Sequence, residues 1–129
     1  MKKRRSKGTV GQVGLGIMGG AFARHLLEDG YHVVGFDPSP KATSALNRAG
    51  GETVRSPAEV ARRARVIITS LPSPAAMEAA YFGKDGIAAG ARPGTAVIEA
   101  STMTLELKEK IRRRLARQRV RNISRHRAD

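Results

Sequence analysis

An open, doubly wound α/β sheet in a single domain is the fold class this sequence predicts, and three observations predict it. Short β-branched runs alternate with helical stretches across residues 9–118. Strands alternating with helices imply parallel strands joined by right-handed crossovers. A glycine cluster follows the first apolar run, at the strand-to-helix turn of such a sheet. The chain has 129 residues and is 40% apolar, which suffices for one core and does not easily allow two.

The elements follow in order. Residues 9–15 alternate loosely and predict the first strand. Residues 21–28 are helix formers, with Phe22, Leu26 and Leu27 as the buried stripe and Gly30 as the stop. Residues 31–36 predict a strand that ends at Asp37-Pro38. Ser39-Pro40 reads as an N-cap followed by proline at the first helical position, opening a helix to Ala49. Glu52-Thr53-Val54 fits a short strand. Ser56-Pro57-Ala58-Glu59 fits a capping box before a helix to about Ala64. Val66-Ile67-Ile68-Thr69-Ser70 predicts a buried strand. Ser73-Pro74 repeats the cap signal before a helix to Ala80, and residues 96–98 predict the next strand. From about Thr104 a longer helix begins. Met103, Leu107, Ile111 and Leu115 recur every four residues and draw one apolar stripe. Residues 119–129 lack a period and are expected to be a frayed basic tail.

Charge divides the chain differently. The net charge is +13, from 24 Lys and Arg against 11 Asp and Glu. Residues 1–8 carry +5, residues 108–129 carry +8, and residues 9–107 are neutral. Basic ends can bind phosphate backbones. They contain no Phe, Tyr or Trp on which bases could stack, and no nucleic-acid-binding motif is present. Weak, salt-sensitive nucleic-acid contact is the expectation, and a basic nucleic-acid-binding protein reusing this fold is the alternative function. Cys is absent, which excludes disulfides and Cys-ligated zinc. His25, His32 and His126 have no metal-ligand spacing, so no metal is expected. No apolar run is long enough to span a bilayer. A cytoplasmic location is expected.

Gly14-Leu15-Gly16-Ile17-Met18-Gly19 is a G-x-G-x-x-G. Alone it is weak; after a strand and before a helix it is informative. The first glycine permits the tight turn, the second lets a pyrophosphate approach the backbone, and the third lets helix and strand pack closely. The helix N-terminus offers unpaired N–H groups and partial positive charge to the phosphates. Asp37 ends the second strand, 18 residues after Gly19. A carboxylate there can accept from ribose hydroxyls and repels a 2′-phosphate, which favours NAD over NADP. The same residues admit other readings. Asp37 can serve only its turn, and the glycines can be a linker. Residues 2–23 can also be a secretory leader ending at Ala21-Phe22-Ala23, although six glycines between 8 and 20 suit an apolar leader helix poorly.

Residues 13–19 resemble the opening of the β-hydroxyacid dehydrogenases, a family that includes 3-hydroxyisobutyrate dehydrogenase and 6-phosphogluconate dehydrogenase. The resemblance continues through residues 56–61, Leu71-Pro72, residues 83–87 and Ile98-Glu99-Ala100-Ser101-Thr102, and covers about residues 9–121. It implies a Rossmann-like domain in which Leu71 and Pro72 line the cofactor. Thr102 would lie near the nicotinamide, and Ser101 would bind substrate. Capping of the last helix is an alternative role for Ser101-Thr102. Glu99 stands where the family usually has Asp, and Ala76 where many members have a cofactor-contacting Asn. The family's catalytic Lys lies well downstream of Thr102, and neither it nor the helical substrate domain has a counterpart here. Lys84, Lys108 and Lys110 do not occupy its motif position. The chain is therefore expected to be a truncated dehydrogenase cofactor domain, inactive alone, with self-association or a complementing chain as the route to activity. Residues 120–124 resemble the start of the strand that would follow.

Overall fold

The computed structural model describes residues 6–124. Strands β1 (Thr9–Val13), β2 (His32–Phe36), β3 (Glu52–Thr53), β4 (Val66–Thr69), β5 (Ala96–Glu99) and β6 (Arg121–Ser124) form one sheet in the order β3-β2-β1-β4-β5-β6. Every pairing is parallel. The intervening helices are α1 (Ile17–Glu28), α2 (Pro40–Arg48), α3 (Pro57–Arg63), α4 (Pro74–Phe82), the single turn α5 (Ile87–Gly90) and α6 (Leu105–Ala116). The chain order reverses between β1 and β4, so their carboxyl ends flank an open crevice.

Side chains alternate across each strand, and the core divides accordingly. Val33 joins Leu15, Ala23 and Leu46 beneath α1 and α2. Its neighbour Val34 joins Val60, Ile67, Met77, Tyr81 and Val97 beneath the later helices. The α6 stripe packs on this second cluster: Ile111 and Leu115 are fully buried, Leu107 nearly so, and Met103 lies partly against it. Arg112, Arg113, Arg114 and Arg117 face outward.

Three of the predicted caps form; the last helix is capped instead by Thr104, whose Oγ1 accepts the Leu107 N–H, and not by Ser101-Thr102, which lie before the helix start. Ser39, Ser56 and Ser73 each accept an N–H from three residues on, and each is followed by proline at the start of its helix. Glu59 reaches back one residue further than expected, to the Arg55 N–H. Two expectations differ from the structure. Helix α1 begins at Ile17, four residues early, because tertiary contact at Gly19 outweighs the poor helix propensity of glycine. Arg121–Ser124 are not frayed; they pair with β5, as residues 120–124 also suggested. A four-residue edge strand is too short to show a period. Arg119, in the left-handed region at φ 59°, turns the chain from α6 into it. The calculated charge of residues 1–5 and 125–129, and His126, lie outside the described residues.

Candidate functional site

The glycine loop connects β1 to α1 at the reversal point. Gly14 has φ +94°, and a Cβ there would overlap the Ser70 carbonyl on the neighbouring β4 turn. Its N–H donates to Phe36 O at 2.9 Å, tying the loop to β2. Gly19 lies in the first turn of α1, where a Cβ would overlap the Gly14 carbonyl and sit 3.0 Å from Gln12 Nε2. Gly16 differs from both: a Cβ there would meet nothing within 4 Å. It is the N-cap of α1, and no side chain caps that helix. The first turn of α1 therefore has no side-chain cap, and the positive end of its helix dipole lies beside open space at Gly16.

Asp37 leaves the end of β2 and braces this loop. Its Oδ2 accepts from the Leu15 N–H at 2.7 Å, and its Oδ1 accepts from the Ser39 N–H at 2.8 Å. Each carboxylate oxygen retains a lone pair for a further donor. Sequence spacing placed Asp37 at the site without showing this bracing, which needs the loop folded back on β2. Gln12 was missed altogether. It is fully buried beneath the loop, and its Nε2 donates to Gly14 O at 3.0 Å. A polar residue inside the apolar first strand was the signal.

A cleft of about 570 Å³ opens beside the loop, lined by Gly14, Asp37, Arg55, Leu71, Pro72, Ala76 and Lys84 among others. Arg55 and Lys84 bring positive charge that motif spacing did not place here. Ile17 and Met18 project into solvent, 97% and 52% exposed, while Leu15 is buried. Ser101 and Thr102 do not line this cleft. They follow β5, and Ser101 is linked to the cleft because its Oγ accepts from the Leu71 N–H at 2.5 Å. Thr102 is exposed.

Beneath Ser101 lies a buried polar cluster. Glu99 is 1% exposed. Its Oε1 accepts from Thr69 Oγ1 at 2.5 Å and from the Tyr81 hydroxyl at 2.7 Å, and its Oε2 accepts from the Ser101 N–H at 2.8 Å. Burial pushes the Tyr81 hydroxyl well above its ordinary pKa, and the neighbouring Glu99 charge pushes it the same way. Tyr81 alone reads as a core aromatic, so this cluster was not visible in sequence.

An uncapped helix N-terminus, a glycine with open space above it, and a carboxylate at the adjoining strand end define a dinucleotide-binding α/β domain. The family profile of the NAD binding domain of 6-phosphogluconate dehydrogenase matches residues 9–124, and the chain belongs to that family. The human mitochondrial 3-hydroxyisobutyrate dehydrogenase is 40% identical over 98 residues, covering 76% of this chain and 29% of its own length. The Mycobacterium tuberculosis 3-hydroxyisobutyrate dehydrogenase with L-serine superposes with TM-score 0.83 at 30% identity, covering 90% of this chain and 39% of that one. Psf3 in complex with NADP+ and 2-OPP superposes with TM-score 0.82 at 29% identity, covering 88% of this chain and 40% of that one. The chain thus spans about 30–40% of the length of these relatives. Among the described residues, no group of His, Cys, Asp and Glu is arranged to hold a metal, and no helix is long and apolar enough to cross a membrane.

Proposed function

We propose that this chain binds NAD, in preference to NADP, in the crevice between the ends of β1 and β4. It would act as the cofactor half of a dehydrogenase on a small 3-hydroxy acid or its semialdehyde. The observation that carries the reading is Gly16: open space above a glycine that caps an otherwise uncapped helix. A pyrophosphate fits there, held by the first N–H groups of α1. The residues present suit the rest of the group. Asp37 has lone pairs for ribose hydroxyls, and Leu71 and Pro72 offer an apolar wall beside the adenosine cleft. Ser101 and Thr102 stand on the next strand end, where the nicotinamide and substrate would meet. When bound, the cofactor supplies the hydride; the protein's part is to hold and orient it.

The preference for NAD rests on the Asp37 charge, which repels a 2′-phosphate. Arg55 and Lys84 on the same cleft favour the opposite choice, and Psf3 was solved with NADP+. Turnover would need a substrate-binding half and a general acid/base, from the same or a complementing polypeptide. Calorimetric titration with NADH and with NADPH tests the proposal. Saturable binding, tighter for NADH, is expected. A folded sample that fails to saturate with either ligand at millimolar concentration refutes cofactor binding. Tighter NADPH binding refutes the role given to Asp37.

A further inference from the structure

We infer that Glu99 is a positioning residue for the nicotinamide end of the site, acting through Ser101; this rests on the cofactor reading above. A buried position on a central strand of a parallel sheet is most cheaply filled by an apolar side chain. Glu99 instead places a carboxyl group there, and no basic side chain pairs with it among the described residues. A buried carboxyl group is tolerated only where donors converge on it. Here they come from three parts of the fold: Thr69 on β4, Tyr81 on α4, and the Ser101 N–H in the turn after β5.

The consequence falls on Ser101. Its N–H is held from below by Glu99, and its Oγ accepts the Leu71 N–H from the side. One hydroxyl lone pair is thereby committed. The hydroxyl proton has no acceptor among the described residues, so Ser101 is left as an oriented donor. Its natural partner is an acceptor oxygen, such as the carboxamide oxygen of the nicotinamide. Glu99 would touch no ligand atom itself.

The test separates the two ends of the cofactor. NADH and ADP-ribose, which lacks the nicotinamide, are titrated calorimetrically into wild type, Glu99→Gln and Tyr81→Phe. Glu99→Gln replaces one acceptor oxygen with an amide that cannot accept. Tyr81→Phe removes one donor to Glu99 and is the milder variant should the first fail to fold. The expected result is a loss of NADH affinity of about tenfold in Glu99→Gln and about threefold in Tyr81→Phe, with ADP-ribose affinity unchanged within twofold. Equal weakening of both ligands in a folded variant overturns the inference, since a merely structural residue would act that way. So does unchanged NADH affinity, and so does a wild type that binds NADH no more tightly than ADP-ribose. A wild type that binds neither ligand refutes the cofactor reading instead.

Discussion

Gly16→Ala is expected to weaken cofactor binding at least tenfold while leaving the fold intact, and Gly19→Ala is expected to damage the fold first. At Gly16 an added Cβ meets nothing within 4 Å, and the backbone, at φ −67° and ψ −161°, suits alanine. Alanine is a poorer N-cap than glycine by about 0.5–1 kcal/mol. The gain from a stiffer unfolded chain is about 0.4–1 kcal/mol in the other direction. The two nearly cancel, so stability should change by less than about 0.5 kcal/mol. That corresponds to a Tm shift of roughly 2 °C at most for a chain of this size. The open space is where a pyrophosphate would approach, so binding should weaken at least tenfold, or about 1.4 kcal/mol. At Gly19 the Cβ overlaps the Gly14 carbonyl, with its carbon only 2.9 Å away. Helix and strand must separate, at a cost of about 3 kcal/mol and a Tm fall of roughly 12 °C. Thermal melts with and without NADH, beside calorimetry, read both quantities. If Gly16→Ala binds NADH as wild type does, the loop is not the pyrophosphate site. If Gly19→Ala melts like wild type, the packing argument is wrong.

Three further outcomes follow from the same geometry. Asp37→Ala removes acceptors for the Leu15 and Ser39 N–H groups; urea unfolding should show a loss of about 2 kcal/mol, together with weaker NADH binding. Ile111→Ala opens a cavity under α6 and should cost about 3 kcal/mol by the same assay; an α6 docked only loosely would give a much smaller change. Glu52 is held at a pKa of about 2, below its usual 4.5, chiefly by its hydrogen bond to Arg63 and also by that to His32. Its contribution is therefore complete above about pH 4.5 and is lost as pH falls toward 2. Both partners are about two-fifths exposed, so screening keeps it to at most about 1 kcal/mol. The stability difference between wild type and Glu52→Gln should shrink as pH falls from 4.5, vanish only below about pH 2, and shrink in high salt.

Local chemistry was legible in the sequence. Ser39-Pro40, Ser56-Pro57 and Ser73-Pro74 started three helices because a hydroxyl and a pre-set φ act within a few residues. The repeat of Leu107, Ile111 and Leu115 predicted one buried face, although only the structure showed that it packs on its own sheet. The glycine spacing and Asp37 marked the loop proposed as the cofactor end. The turn α5 escaped because four residues carry no period; the strand β6 was suggested only by the resemblance of residues 120–124, against the frayed tail that their lack of a period implied, and both depend on neighbours far along the chain.

The sequence by itself therefore determined the fold class and the starts of the serine-capped helices, and marked the loop proposed to hold a dinucleotide, since each follows from short-range steric and hydrogen-bonding rules. Tertiary structure decided what those residues do to one another. It folded Asp37 back onto the Leu15 N–H, slid Gln12 beneath the loop, and joined Thr69, Tyr81, Glu99 and Ser101. The last four come from three separate elements and the turn that follows one of them. Only the parallel pairing of β4 with β5, and the packing of α4 on them, brings their polar atoms within bonding distance.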